Sequence, residues 1–311
     1  MLQTSIRGRN AALTLLSVLA LAACSKTPSP AATQTPPSAA IAPAAAGNGA
    51  PQIATSADGV HIEYHVYGKG EPAVVLIHGW SCDGNYWHAQ LADLQAKYTT
   101  VTLDLAGHGA SGRNRTDWSI GNFGEDVAAV VRQLQNAKIV LVGHSMGAPV
   151  ALEATRRIGD RVIGIIAVDS LKTVGEPLAS EAQVKAWVQP FRDNFIGHTR
   201  EFVTGTLFQK DADPQLVQKV AYDMALEPPE VAVPAMESLL QMDFAKVLPD
   251  IHVPVVAINS SLPPAVDEAR IRKSIPSFKA ITLEKTDHFL MMDAPERFNP
   301  VLLQEIAALA N

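Results

Sequence analysis

Five residues, Gly143-His144-Ser145-Met146-Gly147, constrain the chain more than any others because of what flanks them. An apolar run, Lys138 to Val142, comes before, and an alanine-rich stretch to Ile158 comes after. A serine that stands out of a turn between a strand and a helix is held in strained backbone geometry, so the positions two residues either side cannot carry bulk. Gly143 and Gly147 leave that room. G-x-S-x-G at a strand-to-helix junction reads as a nucleophile elbow; without those flanks the same residues would describe a glycine-rich loop with a capping serine. The turn also brings the backbone N–H of Met146 to the positive end of the following helix, which favours a developing oxyanion.

The segments around the elbow alternate between strand and helix signals. Gly59 to Gly70 reads as a hairpin-like pair of strands with Val60, Ile62, Tyr64 and Val66 alternating, and Ala73 to Ile77 as a central strand apolar on both faces. Thr99 to Leu103 is a further strand, followed by a helix with Phe123, Val127, Val130, Val131 and Leu134 on one face. After the elbow comes another buried strand over Arg161 to Val168, and the sheet resumes with Val253 to Ile258 and Lys279 to Leu283. Such alternation predicts a mostly parallel sheet covered by helices. From Leu171 to Val247 the strand pattern stops. Ser180 with Gln183 makes a capping box, and Asp213-Pro214 a cap with proline in the first turn. Trp187, Phe191, Phe195 and Phe208 in this stretch either line a pocket or, as helically spaced aromatics more often do, fill a core. Asp293 with Glu296 is expected to cap the terminal helix, and Pro300 to kink or restart it.

The N-terminus carries a separate signal. Arg7 and Arg9 precede Ala11 to Ala23, an apolar stretch too short to span a bilayer and of the right length for a signal-peptide core. Leu21-Ala22-Ala23-Cys24 resembles the lipobox of bacterial lipoproteins, which implies cleavage before Cys24, acylation of that cysteine and a lasting membrane attachment. Ser25 in place of an aspartate implies sorting to the outer membrane of the cell envelope. Residues 1–23 are thus the leader, and 24–50, nearly all Ala, Pro, Ser, Thr and Gly, a disordered tether. Residues 51–311 form the folded domain, with a helical lid at about 171–247. Of the 2 cysteines, only Cys82 remains in that domain, as a small packed side chain. A formal charge of −6 with no basic block gives no reason to expect nucleic acid.

His78-Gly79-Trp80 after one strand, the glycine turn from Asp104 to Ser111, the elbow, and Thr286-Asp287-His288-Phe289 near the end come in an order that resembles the α/β-hydrolase superfamily over about residues 59–311. The resemblance implies an α/β fold of the α/β-hydrolase type: a mostly parallel central sheet flanked by helices, the lid inserted after the strand ending near Asp169. It also implies that Ser145 is the nucleophile, that His288 after the last strand is its base, and that the Trp80 N–H faces the nucleophile as a second oxyanion donor beside Met146. The other histidines fit less well. His144 adjoins the serine, His108 belongs to a glycine turn, His61 and His65 lie in an outer strand, and His78 is expected to be a structural hydrogen-bonding residue. None of the 9 histidines forms a ligand set such as HExxH, so neither metal nor cofactor is expected.

The acid is less direct. The superfamily commonly carries it after the strand corresponding to Val253 to Ile258, where this chain reads Asn259-Ser260-Ser261-Leu262-Pro263 and has no carboxylate before Asp267. Asp169, at the end of the strand after the elbow helix, is the seat used by some relatives. A carboxylate at a buried strand end needs a partner, which a histidine N–H would supply, so Asp169 is the expected acid and Asp267 the alternative. Asp287 is too close to His288 in sequence to reach its ring easily, and Asp104 is expected to brace its own turn. These residues fit hydrolysis of a small-molecule carboxylic ester or lactone through an acyl-enzyme on Ser145. Carbon–carbon bond hydrolysis, cofactor-free perhydrolysis, and a low-turnover ligand-binding or signalling role on the same fold remain as alternatives, the last favoured by the missing carboxylate near Ser261. Nothing in the sequence indicates an oligomeric state.

Overall fold

The computed structural model describes residues 49–311. The leader, Cys24 and all but the last two residues of the tether lie outside the described residues. Strands β1 (Pro51–Thr55), β2 (His61–Tyr67), β3 (Ala73–Ile77), β4 (Thr99–Leu103), β5 (Ile139–His144), β6 (Val162–Val168), β7 (Val255–Ser260) and β8 (Lys279–Leu283) form one 8-stranded sheet in the order β1-β2-β4-β3-β5-β6-β7-β8. The pairs β1/β2 and β2/β4 are antiparallel, and every later pair is parallel. Every residue of β3 is buried, as expected for a strand covered on both faces. Each of its Val, Leu and Ile side chains contributes about 1.5–3 kcal/mol by leaving water.

The register positions the site. Ile77 pairs with Gly143, His144 with Val168, and Val168 with Ile258, so the C-terminal ends of β3, β5, β6 and β7 lie side by side. The chain runs from β3 to β4 on one side, then returns past β3 to β5 on the other. A reversal of this kind opens a crevice at the strand ends, here between the loops after β3 and β5. Helix α1 (His88–Gln95) follows β3, α2 (Ile120–Gln133) joins β4 to β5, and α3 (Gly147–Ile158) joins β5 to β6. Right-handed crossovers in opposite directions put α1 on one face and the packed pair α2 and α3 on the other.

Between β6 and β7 the chain inserts α4 (Glu181–Asp193), α5 (Phe195–Thr206), α6 (Pro214–Met224), α7 (Pro229–Leu240) and the short α8 (Phe244–Val247). Ser180 and Gln183 form the expected capping box, and Asp213 caps α6 with Pro214 in its first turn. The short α9 (Glu268–Ile271) lies between β7 and β8, and α10 (Leu290–Asp293) and α11 (Pro295–Ala310) end the chain. Among the described residues no helix is long and apolar enough to cross a membrane.

Two local expectations are corrected. Gly59 to Gly70 holds one strand rather than two: β2 pairs with β1, and the turn at Ser56 to Val60 joins them. Only Ala54 of β1 is buried, so that edge strand carries no alternation to read. At the other end Asp293 does not cap α11, which starts without a side-chain cap; its carboxylate accepts the Asp287 N–H instead, and α11 continues through Pro300. An ion cluster that no motif announces ties the hairpin to α2. Arg115 donates to Asp58 and to both oxygens of the fully buried Asp126, which also accepts from the Ser56 hydroxyl at 2.6 Å.

Candidate active site

The position of Ser145 is built by close backbone approach. Ser145 sits between the last residue of β5 and the start of α3 with φ +51°, a left-handed conformation that costs a non-glycine residue about 1–3 kcal/mol. Its N–H donates to the Val168 carbonyl at 2.9 Å, and its carbonyl accepts from the Ser170 hydroxyl at 2.8 Å. A Cβ on Gly147 would strike the carbonyl oxygens of Ile77 and His78, and one on Gly143 the carbonyl of Gly147. The two glycines therefore let the turn press against the end of β3, and they leave the half-buried serine side chain at its tip.

Asp169 follows β6 directly, also left-handed at φ +44°. Its Oδ2 accepts from His288 Nδ1 at 2.6 Å, bridging 119 residues of chain. Its Oδ1 accepts from the Ser260 N–H, the Ser260 hydroxyl and the Lys172 ammonium, each at 2.8 Å. Burial acts to raise the Asp169 pKa, but the hydrogen bond and charge of His288, reinforced by Lys172, hold it well below the usual carboxylate range. An ionised carboxylate only accepts, so His288 Nδ1 carries a proton and Nε2 presents the lone pair a general base needs. The histidine loop is fixed at both backbone groups. The His288 N–H donates to Leu207, and its carbonyl lies 3.0 Å from His144 Nε2. Among the described residues no hydrogen bond joins the Ser145 hydroxyl to the His288 ring; such contacts in ligand-free hydrolytic sites are commonly long and tighten with substrate.

Trp80, after β3, and Met146, after the serine, are both buried, and among the described residues neither backbone N–H has a hydrogen-bond acceptor. Those amides are free to meet a developing negative charge. His78 shapes the loop that carries Trp80: its Nδ1 donates to the Gly79 carbonyl at 2.8 Å and its Nε2 accepts the Leu105 N–H at 3.0 Å. The Trp80 indole N–H donates to the Ala232 carbonyl of α7 at 2.6 Å, and its ring packs edge-on against Phe191, Phe195 and Phe202. The indole thus fastens the helical insertion to the sheet. Phe191, Phe195 and Phe208 are buried core residues, and Trp187 packs beside them partly exposed.

A family model described as Alpha/beta hydrolase family matches residues 74–301. The chain belongs to that family. This hydrolase is 26% identical over 76% of its length to the 2-(acetamidomethylene)succinate hydrolase of Mesorhizobium japonicum, covering 88% of that protein. It is also 26% identical over 78% of its length to 3-oxoadipate enol-lactonase 2 of Acinetobacter baylyi, covering 92% of that protein. A solved structure of a thermophilic esterase from Thermogutta terrifontis superposes with a TM-score of 0.73 at 22% identity, over 84% of this chain and 100% of that one, and so shares the fold.

Within this hydrolase the structure brings Asp169 and His288 together and leaves Asp267 apart, exposed, as the cap of α9. That cap has a consequence nearby. Arg270 on α9 donates to the carbonyls of Lys172 and Val174, which steadies the turn after Asp169. Asp287 is engaged by the Gln209 N–H, and Asp104 accepts from Ala110 within its own turn and from Gly84 in the segment after β3. Cys82 is buried with its thiol on the Trp80 carbonyl. Ser260 and Lys172 were not expected as partners of the acid. A signal for Ser260 does exist in the sequence: Asn259 and Ser260 are polar residues closing an otherwise apolar strand, and both are buried, so each needs a partner. Asn259 accepts the Ser170 N–H at 3.0 Å.

Proposed function

We propose that this hydrolase cleaves a carboxylic ester or lactone of a small molecule through an acyl-enzyme on Ser145. The observation that carries the reading is the 2.6 Å contact of Asp169 with His288, made at strand ends adjacent to the elbow. The relatives whose names include an enol-lactonase, and the esterase that shares the fold, support the substrate class. In this mechanism Ser145 attacks the acyl carbon while His288 Nε2 takes its proton, and the oxyanion gathers hydrogen bonds from Trp80 and Met146. The leaving alkoxide takes that proton from His288. Water then repeats the sequence: His288 deprotonates it, the hydroxide attacks the acyl-enzyme, and Ser145 leaves with the proton. Asp169 stays ionised throughout, orienting the ring and stabilising its cationic form.

The test is a panel of p-nitrophenyl esters of rising chain length and a set of lactones, run on protein lacking residues 1–23. The expected result is turnover by the unaltered protein and at least about a ten-thousandfold loss in Ser145→Ala with an unchanged circular dichroism spectrum. Undiminished turnover in that variant would remove Ser145 from the chemistry. We further propose that Cys24 anchors the hydrolase in the outer membrane, facing the periplasm, on the lipobox resemblance of residues 21–24. Cys24→Ala should release it from membranes on fractionation, and unchanged partitioning would discard the anchor.

A further inference from the structure

We propose that Lys172 is a positioning residue for the Ser145 reaction, whose ammonium on the far oxygen of Asp169 keeps the site active at lower pH than the Asp169–His288 pair alone would allow. The inference deepens the serine-hydrolase reading and rests on it. Lys172 lies three residues after Asp169 in a turn where both Asp169 and Leu171 are left-handed, at φ +44° and +60°. That geometry folds the lysine stem back over the acid. The ammonium meets Asp169 Oδ1 at 2.8 Å and the Leu262 carbonyl at 2.9 Å, with only 10% of the side chain exposed. A carbonyl contact and a turn can both be satisfied by a neutral side chain. Burying a cation is expensive, and here it is offset by the one carboxylate that also serves His288.

The consequence follows from charge. With the imidazole neutral, the Lys172 ammonium and the Asp169 carboxylate cancel. Protonating the imidazole adds a second positive charge to that pair, and a like charge nearby disfavours it. The other groups facing the ring do not substitute for this effect. His144, packed at 4.7 Å between ring centres, is held at a pKa of about 3 chiefly by burial and carries no charge near neutrality. His78, beyond it, is lowered by burial as well. Asp287, next in the chain, turns its carboxylate to the Gln209 N–H and shares its surroundings with Asp293. Lys172 is therefore the cation that sets the electrostatic balance of the pair.

The readout is the rate at which a fluorophosphonate probe labels Ser145, followed across pH. Lys172→Met should shift the acidic limb of that profile upward by about one pH unit, and Lys172→Gln should do the same if the methionine variant does not fold. Lys172→Arg, which keeps the charge, should leave the limb where the unaltered protein has it. If the neutral variants label more slowly by one factor at every pH with the limb unmoved, Lys172 is only a brace and the proposal is overturned. Absence of labelling in the unaltered protein at any pH would overturn the serine-hydrolase reading itself, a result distinct from an unmoved limb.

Discussion

Asp169 has two carboxylate oxygens, and they do different things. Oδ2 holds the His288 ring, while Oδ1 is itself held by Ser260 and Lys172. Replacing the carboxylate by an amide keeps the shape but permits the wrong ring tautomer, so Asp169→Asn should lower kcat about ten-thousandfold. Asp267→Asn should leave kcat near the unaltered value, because asparagine caps a helix as well as aspartate does. Steady-state kinetics of the two variants checks this, and the reverse ranking would move the acid to Asp267. At this scale the placing of Ser145, His288 and Asp169 after recognisable strands is legible in the sequence, and His288 meets Asp169, the expected partner, rather than the alternative Asp267. The partners on Oδ1 are not. Ser260 reaches Asp169 only because β6 and β7 pair in the sheet, and Lys172, although three residues away, reaches it only through the left-handed backbone at Asp169 and Leu171, which the residue types there do not announce.

The elements that present these residues are fixed by close approach as much as by propensity. An added methyl on Gly147 meets two backbone carbonyls of the β3 end, which cannot swing aside as a side chain can. Gly147→Ala should therefore destabilise the fold by about 1–3 kcal/mol or more, read as a lower urea midpoint, whereas Gly205→Ala, which meets nothing, should not. Elements with strong internal patterns are predictable. β3 falls where its apolar run lies, and the capping box of α4 marks its own start. Elements defined by their neighbours are not. β1 is a strand because β2 is there to pair with it, and the carboxylate of Asp293 goes to the Asp287 N–H while α11 starts at Pro295 without a side-chain cap.

Across the whole molecule, buried ionisable groups set how stability depends on pH. His108 and His144 are each pushed from 6.5 to about 3, mainly by burial. The unfolded chain binds protons at these positions below pH 6.5 and the folded chain does not, so they make stability fall as pH drops from 6.5 toward 3. Glu227 acts oppositely: burial, opposed by Arg113 and assisted by Asp83, raises it from 4.5 to about 8. The folded chain keeps that proton while the unfolded chain loses it, so Glu227 makes stability fall as pH rises from 4.5 to 8. Glu227→Gln should therefore gain melting temperature relative to the unaltered protein, increasingly toward pH 8; a constant difference would contradict this. The Arg115 cluster is a second global brace. Arg115→Met leaves Asp126 buried without its cation and should cost about 3–5 kcal/mol in unfolding free energy.

The most direct single measurement is the mass of the protein during turnover of a p-nitrophenyl ester, quenched in acid and mapped by peptide. An acyl group on Ser145 in the unaltered protein, absent in Ser145→Ala, is the predicted result. Steady hydrolysis with no acyl group on Ser145 under the same quench, and undiminished in Ser145→Ala, would contradict it.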